Sequence, residues 1–222
     1  MDLATIIEQR FSPRAFHDRP LPEKTLQRIF AMAQRTPSWC NTQPWQVVVT
    51  ATREATERLR DALAAHLQEG HPPAPDFPFP ERYQGIYRER RKFCASQLYG
   101  ALGIAREDSA GTMAQSMKNF AFFDAPHAGF VFVPQELGFY GGVDCGLYAY
   151  ALCLAATDQG AGCIAQAALA VYPDFIRSHF SIPSEMKLVY GFSMGFVDES
   201  HPANSFRTQR AALEESVRFI TS

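Results

Sequence analysis

The sequence predicts an α+β fold, and two observations point to it. Apolar residues recur at helical spacing in several segments. Short apolar runs of strand length lie between some of these segments, without the regular strand–helix–strand alternation of an α/β protein. No internal repeat or composition break marks a domain boundary. With 222 residues, 46% of them hydrophobic and 20% charged, residues 1–222 are predicted to form one domain with a substantial core.

The first predicted elements are two short helices, a strand and a longer helix. Leu3, Ile6 and Ile7 give the first helix one apolar face, which ends before Arg10. The second helix follows a proline-containing turn at 20–23, and its apolar face has the spacing i, i+3, i+4, i+7: Leu26, Ile29, Phe30 and Ala33. The run 47–50 is predicted to be a short buried strand, and 53–69 an amphipathic helix.

The middle of the chain opens with a proline-rich segment. Five prolines between His71 and Pro80 exclude both a helix and a central strand. Because this segment also carries Phe77 and Phe79, it is either a surface connector or a lid with aromatic tips. Two helices, broken near residues 103 and 108, are predicted between 83 and 123, and a second strand at 130–133.

A helix from Gly141 to Asp158 is apolar nearly all round, which predicts burial on most sides, either in the core or at a subunit interface. A further helix is predicted at 173–180 and a long strand at 187–197. The last segment, 211–220, is helical or extended, and its polar face is compatible with an arm exchanged between subunits.

Composition argues against several classes of protein. The net charge of −2 gives no general attraction to nucleic acid or anionic membranes. The start of the chain lacks the features of a secretory signal, and the longest apolar run, 143–156, is too short to span a bilayer. Five cysteines without a CxxC pair and six scattered histidines indicate neither a disulfide framework nor a metal site. A cytoplasmic protein without a structural metal is therefore expected.

Two polar motifs stand near the N-terminus. Arg10-Phe11-Ser12-Pro13-Arg14 places two guanidinium groups and a hydroxyl within five residues, which suits a phosphate but also an ordinary solvated loop. The run 37–45, PSWCNTQPW, combines rigid prolines and tryptophans with amide side chains that offer donor and acceptor together. Such a turn suits an amide-rich heterocycle; the alternative is a capping turn with a buried tryptophan.

These two motifs and two later ones carry a family resemblance. The pattern Arg10-x-Ser12-x-Arg14, then PS-x-x-N-x-QPW and a valine strand, resembles the N-terminal part of the nitroreductase family. The segment from Asn119 to Pro126 resembles that family's asparagine-containing helix end. The closing GFSMGF strand with Asn204, Arg207 and Arg210 resembles its C-terminal part, so the resemblance spans nearly the whole chain.

The resemblance implies an FMN-dependent enzyme with a central, mostly antiparallel sheet flanked by helices, in an intertwined homodimer. The residues that it assigns to the cofactor are Arg10, Ser12, Arg14, Pro37, Ser38, Trp39, Asn41, Gln43, Asn119, Gln166, Ala167, Arg207 and Arg210. The arginines and Ser12 would bind the phosphate and ribityl chain, and the turn at 37–43 would approach from the partner subunit. Gln166 and Ala167 would offer backbone N–H groups. Trp39 and Phe11 depart from the family's commonest residues at their positions.

The implied chemistry is hydride transfer from NADH or NADPH to an electron-poor aromatic acceptor, such as a nitroaromatic of the nitrobenzoate type. Because the flavin carries this chemistry, no catalytic side chain is assigned. One open flavin face serves donor and acceptor in turn, which predicts ping-pong kinetics. The aromatic walls of the pocket would come from among Phe122, Phe123, Tyr140 and the Phe77/Phe79 loop.

Several alternatives remain open at this point. A flavoenzyme of the same fold could instead reduce quinones or enones, or act as a dehalogenase or dehydrogenase. A protein of a different class, a non-enzymatic flavin binder or a structural dimer, would consume no NAD(P)H. The basic run Arg88, Arg90, Arg91 and Lys92 is either a solvated helix face or a rim that attracts an anionic ligand. Gly160-x-Gly162 is interpreted as a helix end and not as a dinucleotide fingerprint, because it follows a helix.

Overall fold

A four-stranded sheet forms the centre of the protein in the computed structural model, which describes residues 1–221. Its strands are β1 (Gln46–Val49), β2 (His127–Pro134), β3 (Gly162–Gln166) and β4 (Met186–Gly195). They lie in the order β1-β2-β4-β3, and each neighbouring pair is antiparallel. The predicted mostly antiparallel sheet is therefore confirmed. β3 and β4, which are close in sequence, lie side by side at one edge.

Helices surround this sheet at the positions that the periodicity predicts. They are α1 (Leu3–Gln9), α2 (Glu23–Ala33), α3 (Arg53–Gln68), α4 (Gly85–Ala101), α5 (Ser109–Met117), α6 (Gly138–Asp158) and α7 (Pro173–Phe180). Side-chain caps fix three of the starting points: Asp2 accepts from Thr5 N, Thr52 from Ala55 N, and Asp108 from Gly111 N. α7 begins with a proline, which needs no N–H partner there.

The core lies on both faces of β2 and β4. Successive side chains of a strand point to opposite faces, so Val131 and Val133 join the cluster that includes α2 and α6. Phe130 and Phe132 join the other cluster, together with residues of α3 and α7. β2 is buried almost throughout, as a central strand between two layers must be. β1, predicted to be buried, is instead a half-buried edge strand.

Helix α6 has one buried side and one open side, so a single chain does not bury it on most sides, and the alternative of a subunit interface stays a prediction. The buried side packs against α2 and the sheet. The open side carries large apolar residues: Phe139, Tyr140, Val143, Leu147 and Tyr150. With its preceding turn, the helix is long and apolar enough to cross a bilayer by length and composition alone. Its contacts identify it instead as a core helix with an unpartnered face.

The proline-rich loop after α3 contains neither helix nor strand, as predicted. It is anchored by Asp76, whose side chain is buried. The Asp76 carboxylate accepts hydrogen bonds from Arg177 Nη1 at 2.6 Å and from Leu188 N at 2.7 Å. Burying a carboxylate costs desolvation free energy, and these two hydrogen bonds offset most of that cost. The loop is thus fixed to α7 and β4 at one point, while the residues from Phe77 onward to 84 are exposed.

The C-terminal segment contains only a short 3-10 turn, Leu213–Glu215, among the described residues after Arg210. It is exposed throughout and carries Leu213, Val217, Phe219 and Ile220 on its surface. An ion pair between Arg90 and Glu215 at 2.9 Å attaches it to α4. Exposed apolar residues in an extended segment are compatible with the predicted exchanged arm.

Replacing Gly129 tests the packing at the centre of the sheet. A Cβ at this position would lie 2.7 Å from the Val48 carbonyl oxygen and would also overlap the Phe192 ring. Since the carbonyl belongs to β1 and cannot rotate away, Gly129→Ala is expected to lower the free energy of unfolding by about 1–3 kcal/mol. Chemical denaturation measures this. The control is Gly100→Ala in α4, where nothing lies near the new methyl group; it should be neutral or stabilising by about 0.5–1 kcal/mol. Equal stability of the two variants would contradict the packing argument.

Candidate functional site

Arginines from the two ends of the chain meet at one cavity. Arg10, just after α1, and Arg207 and Arg210, in the C-terminal segment, line a cavity of about 340 Å³. Phe11 and Tyr150 are also part of its wall, and Glu8 is its one acidic lining residue among the described residues. Three guanidinium groups in one small cavity repel one another, and a bound anion would relieve this repulsion.

The donors of these arginines are not used by carboxylates. Within residues 1–221 no ion pair involves Arg10, Arg207 or Arg210. Arg207 Nη1 donates to the Asn204 carbonyl at 2.7 Å, and its guanidinium carbon lies 3.5 Å from the centre of the Phe11 ring. Arg210 bonds only to its own loop, at Thr208 and the next carbonyl. The cavity therefore offers positive charge that an anion can bind.

The other two members of the first motif, Ser12 and Arg14, do not line this cavity. Ser12 is exposed, and its carbonyl accepts from Arg14 Nη1 at 3.2 Å. The Arg14 side chain is half-buried near Cys94 and Tyr99 of α4, and desolvation lowers the pKa of its guanidinium below the ordinary value. In the described part of the chain Arg14 also has no carboxylate partner at ion-pair distance.

Asn204 holds the first motif against the C-terminal segment. Its amide is buried, and Nδ2 donates to the carbonyls of Ala15 at 2.9 Å and Asp198 at 2.7 Å. Its Oδ1 accepts from Arg14 N at 2.8 Å. Asn204 belongs to the motifs that carry the family resemblance but is not among the residues predicted to bind the cofactor. Because all three hydrogen bonds of the buried Asn204 amide are made within the protein, its role is to position the arginines and not to donate to a ligand.

The turn at 37–45 has an unusual backbone. Three of its residues have left-handed φ angles: Cys40 (51°), Asn41 (55°) and Gln43 (48°). Residues other than glycine rarely adopt this conformation. Such strain persists only where the surroundings enforce it, and it concentrates at binding sites. The turn presents Trp39, with 61% of its surface exposed, together with exposed Asn41 and Gln43.

The turn is held by contacts with two helices. Both carboxylate oxygens of Asp144 in α6 accept from Trp39 N at 3.2 Å. Trp45 is buried, donates from Nε1 to Gln34 Oε1 at 3.0 Å, and stacks on Tyr148 with 5.0 Å between ring centroids. The alternative of a buried tryptophan is thus correct for Trp45, whereas Trp39 is on the surface. Sequence reasoning missed Asp144, although one buried acid in an otherwise apolar helix is a readable signal.

A chain of three side chains links α5 to the sheet. Gln166 Nε2 donates to Asn119 Oδ1 and to its backbone oxygen, both at 3.2 Å. Ser193 Oγ donates to Gln166 Oε1 at 2.5 Å. The buried Gln166 side chain is therefore used inside the protein, and only backbone groups near the exposed Ala167 remain for a ligand at this point.

The turn and the arginine cavity lie toward opposite ends of the open face of α6. Trp39 packs edge-on against Tyr140 with 4.5 Å between ring centroids, whereas Tyr150 lines the arginine cavity. Ten helical positions correspond to a rise of about 15 Å. One chain therefore carries two separate half-sites on a single exposed helix face, and the structure does not bring them together.

Two of the proposed aromatic walls are not available to a ligand. Phe122 and Phe123 are 0% and 2% exposed and belong to the core clusters, so their expected role as pocket walls is wrong. Both have left-handed φ angles, which turn their rings inward after α5. Tyr140 is exposed beside Trp39, and Phe77 and Phe79 are exposed in the proline-rich loop.

The two remaining motifs are the basic run on α4 and the glycine pair after α6. Arg88, Arg91 and Lys92 are exposed on α4, and Arg90 is engaged with Glu215; exposure agrees with both a solvated face and a rim for an anionic ligand, so both stay predictions. The positive φ of Gly160 ends α6, and β3 begins two residues later, as the interpretation of a helix end requires.

Comparison of the sequence with known proteins identifies a matching family. Residues 7–196 match the profile described as "Nitroreductase family". The chain is 37% identical to the nitroreductase NfnB of Mycolicibacterium smegmatis over 216 residues, which cover 96% of this chain and 91% of the relative. It is 31% identical to a 4-nitrobenzoate reductase of Pseudomonas putida, covering 99% of this chain and 96% of the relative.

Solved structures give the same result. The FMN-dependent nitroreductase NfnB from Mycobacterium smegmatis, in complex with NADPH, superposes with a TM-score of 0.90 at 37% identity, covering 99% of this chain and all of that one. The FMN- and NADPH-dependent nitroreductase NfnB from Sphigopyxis sp. strain HMH has a TM-score of 0.94 at 31% identity, with both chains fully covered.

Asn204→Ala tests how the arginine cavity is held together. The variant loses three hydrogen bonds and leaves the Ala15 and Asp198 carbonyls without the amide, so the free energy of unfolding should fall by about 1–3 kcal/mol. Denaturant titration measures the loss. Gln209→Ala, at an exposed position in the same segment, is the control and should change stability by less than about 0.5 kcal/mol. An Asn204→Ala variant as stable as this control would show that the amide is not what holds the two ends together.

Proposed function

Because the chain belongs to the nitroreductase family, we propose that it is an FMN-dependent oxidoreductase that transfers a hydride from NAD(P)H to a nitroaromatic acceptor. The observation that carries this proposal is the convergence of Arg10, Arg207 and Arg210 on one cavity without carboxylate partners. The relatives named as 4-nitrobenzoate reductases support a nitroaromatic of the nitrobenzoate type, and the FMN- and NADPH-dependent relatives support NADPH as one donor.

The residues present fit an FMN phosphate. A phosphate dianion requires several charge-assisted donors, each worth about 1.5–3 kcal/mol, and the cavity provides guanidinium groups whose charges are not neutralised. Arg10, Arg207 and Arg210 would hold the phosphate; the family pattern assigns Ser12 and Arg14 to the ribityl chain, which would have to extend beyond the cavity to reach them. When bound, FMN supplies the hydride-transfer chemistry. The protein's own task is to hold the phosphate, orient the ring and keep one ring face accessible.

The ring would lie near two further groups of residues. Asn119 would bond its edge, held in place by Gln166, and backbone N–H groups at Gln166 and Ala167 would face it. The turn residues of the partner subunit, which are the partner's copies of Pro37, Ser38, Trp39, Asn41 and Gln43, would close the other side. The Asp144 carboxylate fixes this turn before any ligand binds, so little ordering entropy remains to be lost.

We propose that a homodimer completes the site. The open apolar face of α6 can pack against its own copy in an antiparallel pair, which a two-fold axis perpendicular to the helix generates. Such pairing, centred near residue 145, would bring Tyr140 of one chain to Tyr150 of the partner subunit. The turn of each chain would then reach the arginine cavity of the other. The same packing would bury the apolar surface that one chain leaves open.

A cytoplasmic location is part of the proposal. All five cysteines are unpaired, which agrees with a reducing compartment.

The function is tested on the purified protein by spectroscopy and kinetics. We expect flavin absorption bands that NAD(P)H bleaches under anaerobic conditions and a nitroaromatic restores. Initial rates with 4-nitrobenzoate should give parallel double-reciprocal lines, as ping-pong kinetics requires. Arg10→Ala with Arg210→Ala should greatly reduce flavin retention. Since each lost bond to a charged group costs about 1.5–3 kcal/mol, the affinity should fall by a factor of about 100 or more.

Arg88→Ala is the matched control, because it removes an exposed arginine outside the cavity. A double variant that retains flavin as well as this control would overturn the phosphate assignment. Faster turnover with quinones, enones or halophenols than with nitroaromatics would assign a different reaction on the same fold. A flavin-containing protein that consumes no NAD(P)H with any acceptor would be a binding protein and not an enzyme.

Subunit complementation tests the shared site. One variant carries Arg10→Ala and Arg210→Ala, and the other carries Ser38→Ala and Asn41→Ala. If each site combines the arginines of one chain with the turn of the other, co-refolding the two variants in equal amounts should restore about a quarter of the wild-type sites. Flavin content and NAD(P)H-dependent reduction measure the recovery. If the mixture is no more active than the average of the separate variants, both half-sites belong to the same chain or no dimer forms.

A further inference from the structure

We propose that His66, Glu69 and His71 form a binding site for one divalent transition-metal cation of the Zn²⁺ type. Each residue offers one ligand atom, and these atoms all lie within 4.8 Å of one another. The cluster lies at the C-terminal end of α3 and shares no lining residue with the arginine cavity. The proposal is therefore independent of the flavin site.

The backbone between the two histidines brings them together. His66 lies in the last turn of α3, and the helix ends with Glu69 N donating to the Ala65 carbonyl at 3.1 Å. Gly70 then adopts φ +73°, a left-handed conformation that glycine accepts without strain, and reverses the chain. His71 consequently returns over the helix end, with 4.5 Å between the two imidazole centroids and an angle of 19° between the rings.

Neighbouring elements hold the cluster in this arrangement. The His66 ring also stacks on Phe175 of α7 at 4.7 Å and meets the Tyr172 ring edge-on at 5.1 Å. Beyond His71 the chain is rigid, because two prolines follow and Ala74 N donates to the Val171 carbonyl at 2.9 Å. A cavity of about 190 Å³ adjoins both histidines. These contacts fix His66 and keep the three ligand groups close together; the exposed His71 ring must turn out of its stack with His66 before both rings can direct a nitrogen at one ion.

The ligand chemistry matches zinc and related ions. Imidazole nitrogen and carboxylate oxygen bind Zn²⁺ at about 2.0–2.2 Å, and a His₂Glu set leaves a fourth position for water. His71 Nε2 and Glu69 Oε2 already face each other at 2.9 Å, so a cation can replace the shared proton after a small separation of the two groups. Both are exposed and free to rotate toward His66. The negative end of the α3 dipole also favours a cation here.

Metal titration of the flavin-loaded protein tests this site. Calorimetry with ZnCl₂ should give one ion per chain, and Co²⁺ should give the visible absorption bands of a tetrahedral site. His71→Gln and Glu69→Gln should each weaken zinc binding at least tenfold. Both positions are exposed, so these variants should fold. His17→Gln is the control, since it removes an exposed histidine elsewhere. At a zinc concentration of 100 times Kd, thermal unfolding should shift upward by roughly 5–10 °C.

Two results would overturn the proposal. If zinc does not bind, the histidines are only a packing contact with Phe175. If His71→Gln and Glu69→Gln bind zinc as tightly as the His17→Gln control, the ion lies elsewhere on the surface. Neither result affects the flavin proposal, because flavin content is measured in the same samples.

Discussion

The functional architecture depends on pairing the N-terminal motif with the segment that follows β4. Phe16 forms a bridge with Val197, and His17 N donates to the Phe196 carbonyl at 2.8 Å. The Asn204 amide closes this pairing from the C-terminal side. These bonds hold Arg10 and Arg207 at one cavity although their like charges repel each other. Neutral backbone and amide hydrogen bonds thus hold positive charges together before an anion arrives.

Local sequence signals predicted the elements, because helical spacing, prolines and glycines act over a few residues. All seven helices of the described chain and three of its four strands lie where such signals placed them, with shifts of a few residues at their ends; β3, only five residues long, was not predicted. The open face of α6 was not predictable, because hydropathy shows that a residue avoids water but not which surface covers it. Trp39 and Trp45 illustrate the same limit, since one is exposed and the other buried within a single turn.

The site was predictable only in part, for a related reason. The charge and family pattern identified Arg10, Arg207 and Arg210, which share a cavity. The residues that hold the site, Asn204 and Asp144, act through tertiary contacts that spacing does not encode. Phe122 and Phe123 point inward because of left-handed backbone angles, and the His66, Glu69, His71 cluster forms through the turn at Gly70. Both depend on left-handed backbone angles at a few residues, which a regular periodicity does not describe.

The hydrogen bonds that anchor the proline-rich loop at Asp76 determine where the length of this loop can change. Asp76 itself is tied to α7 and β4, and Ala74 before it donates to the Val171 carbonyl, so insertions there would disturb these bonds. After it, residues 77–84 are exposed and can change in length at a small entropic cost, because loop closure depends only weakly on length. The scaffold can therefore accept changes in the length of that span as long as the Asp76 carboxylate and its Arg177 partner stay in place.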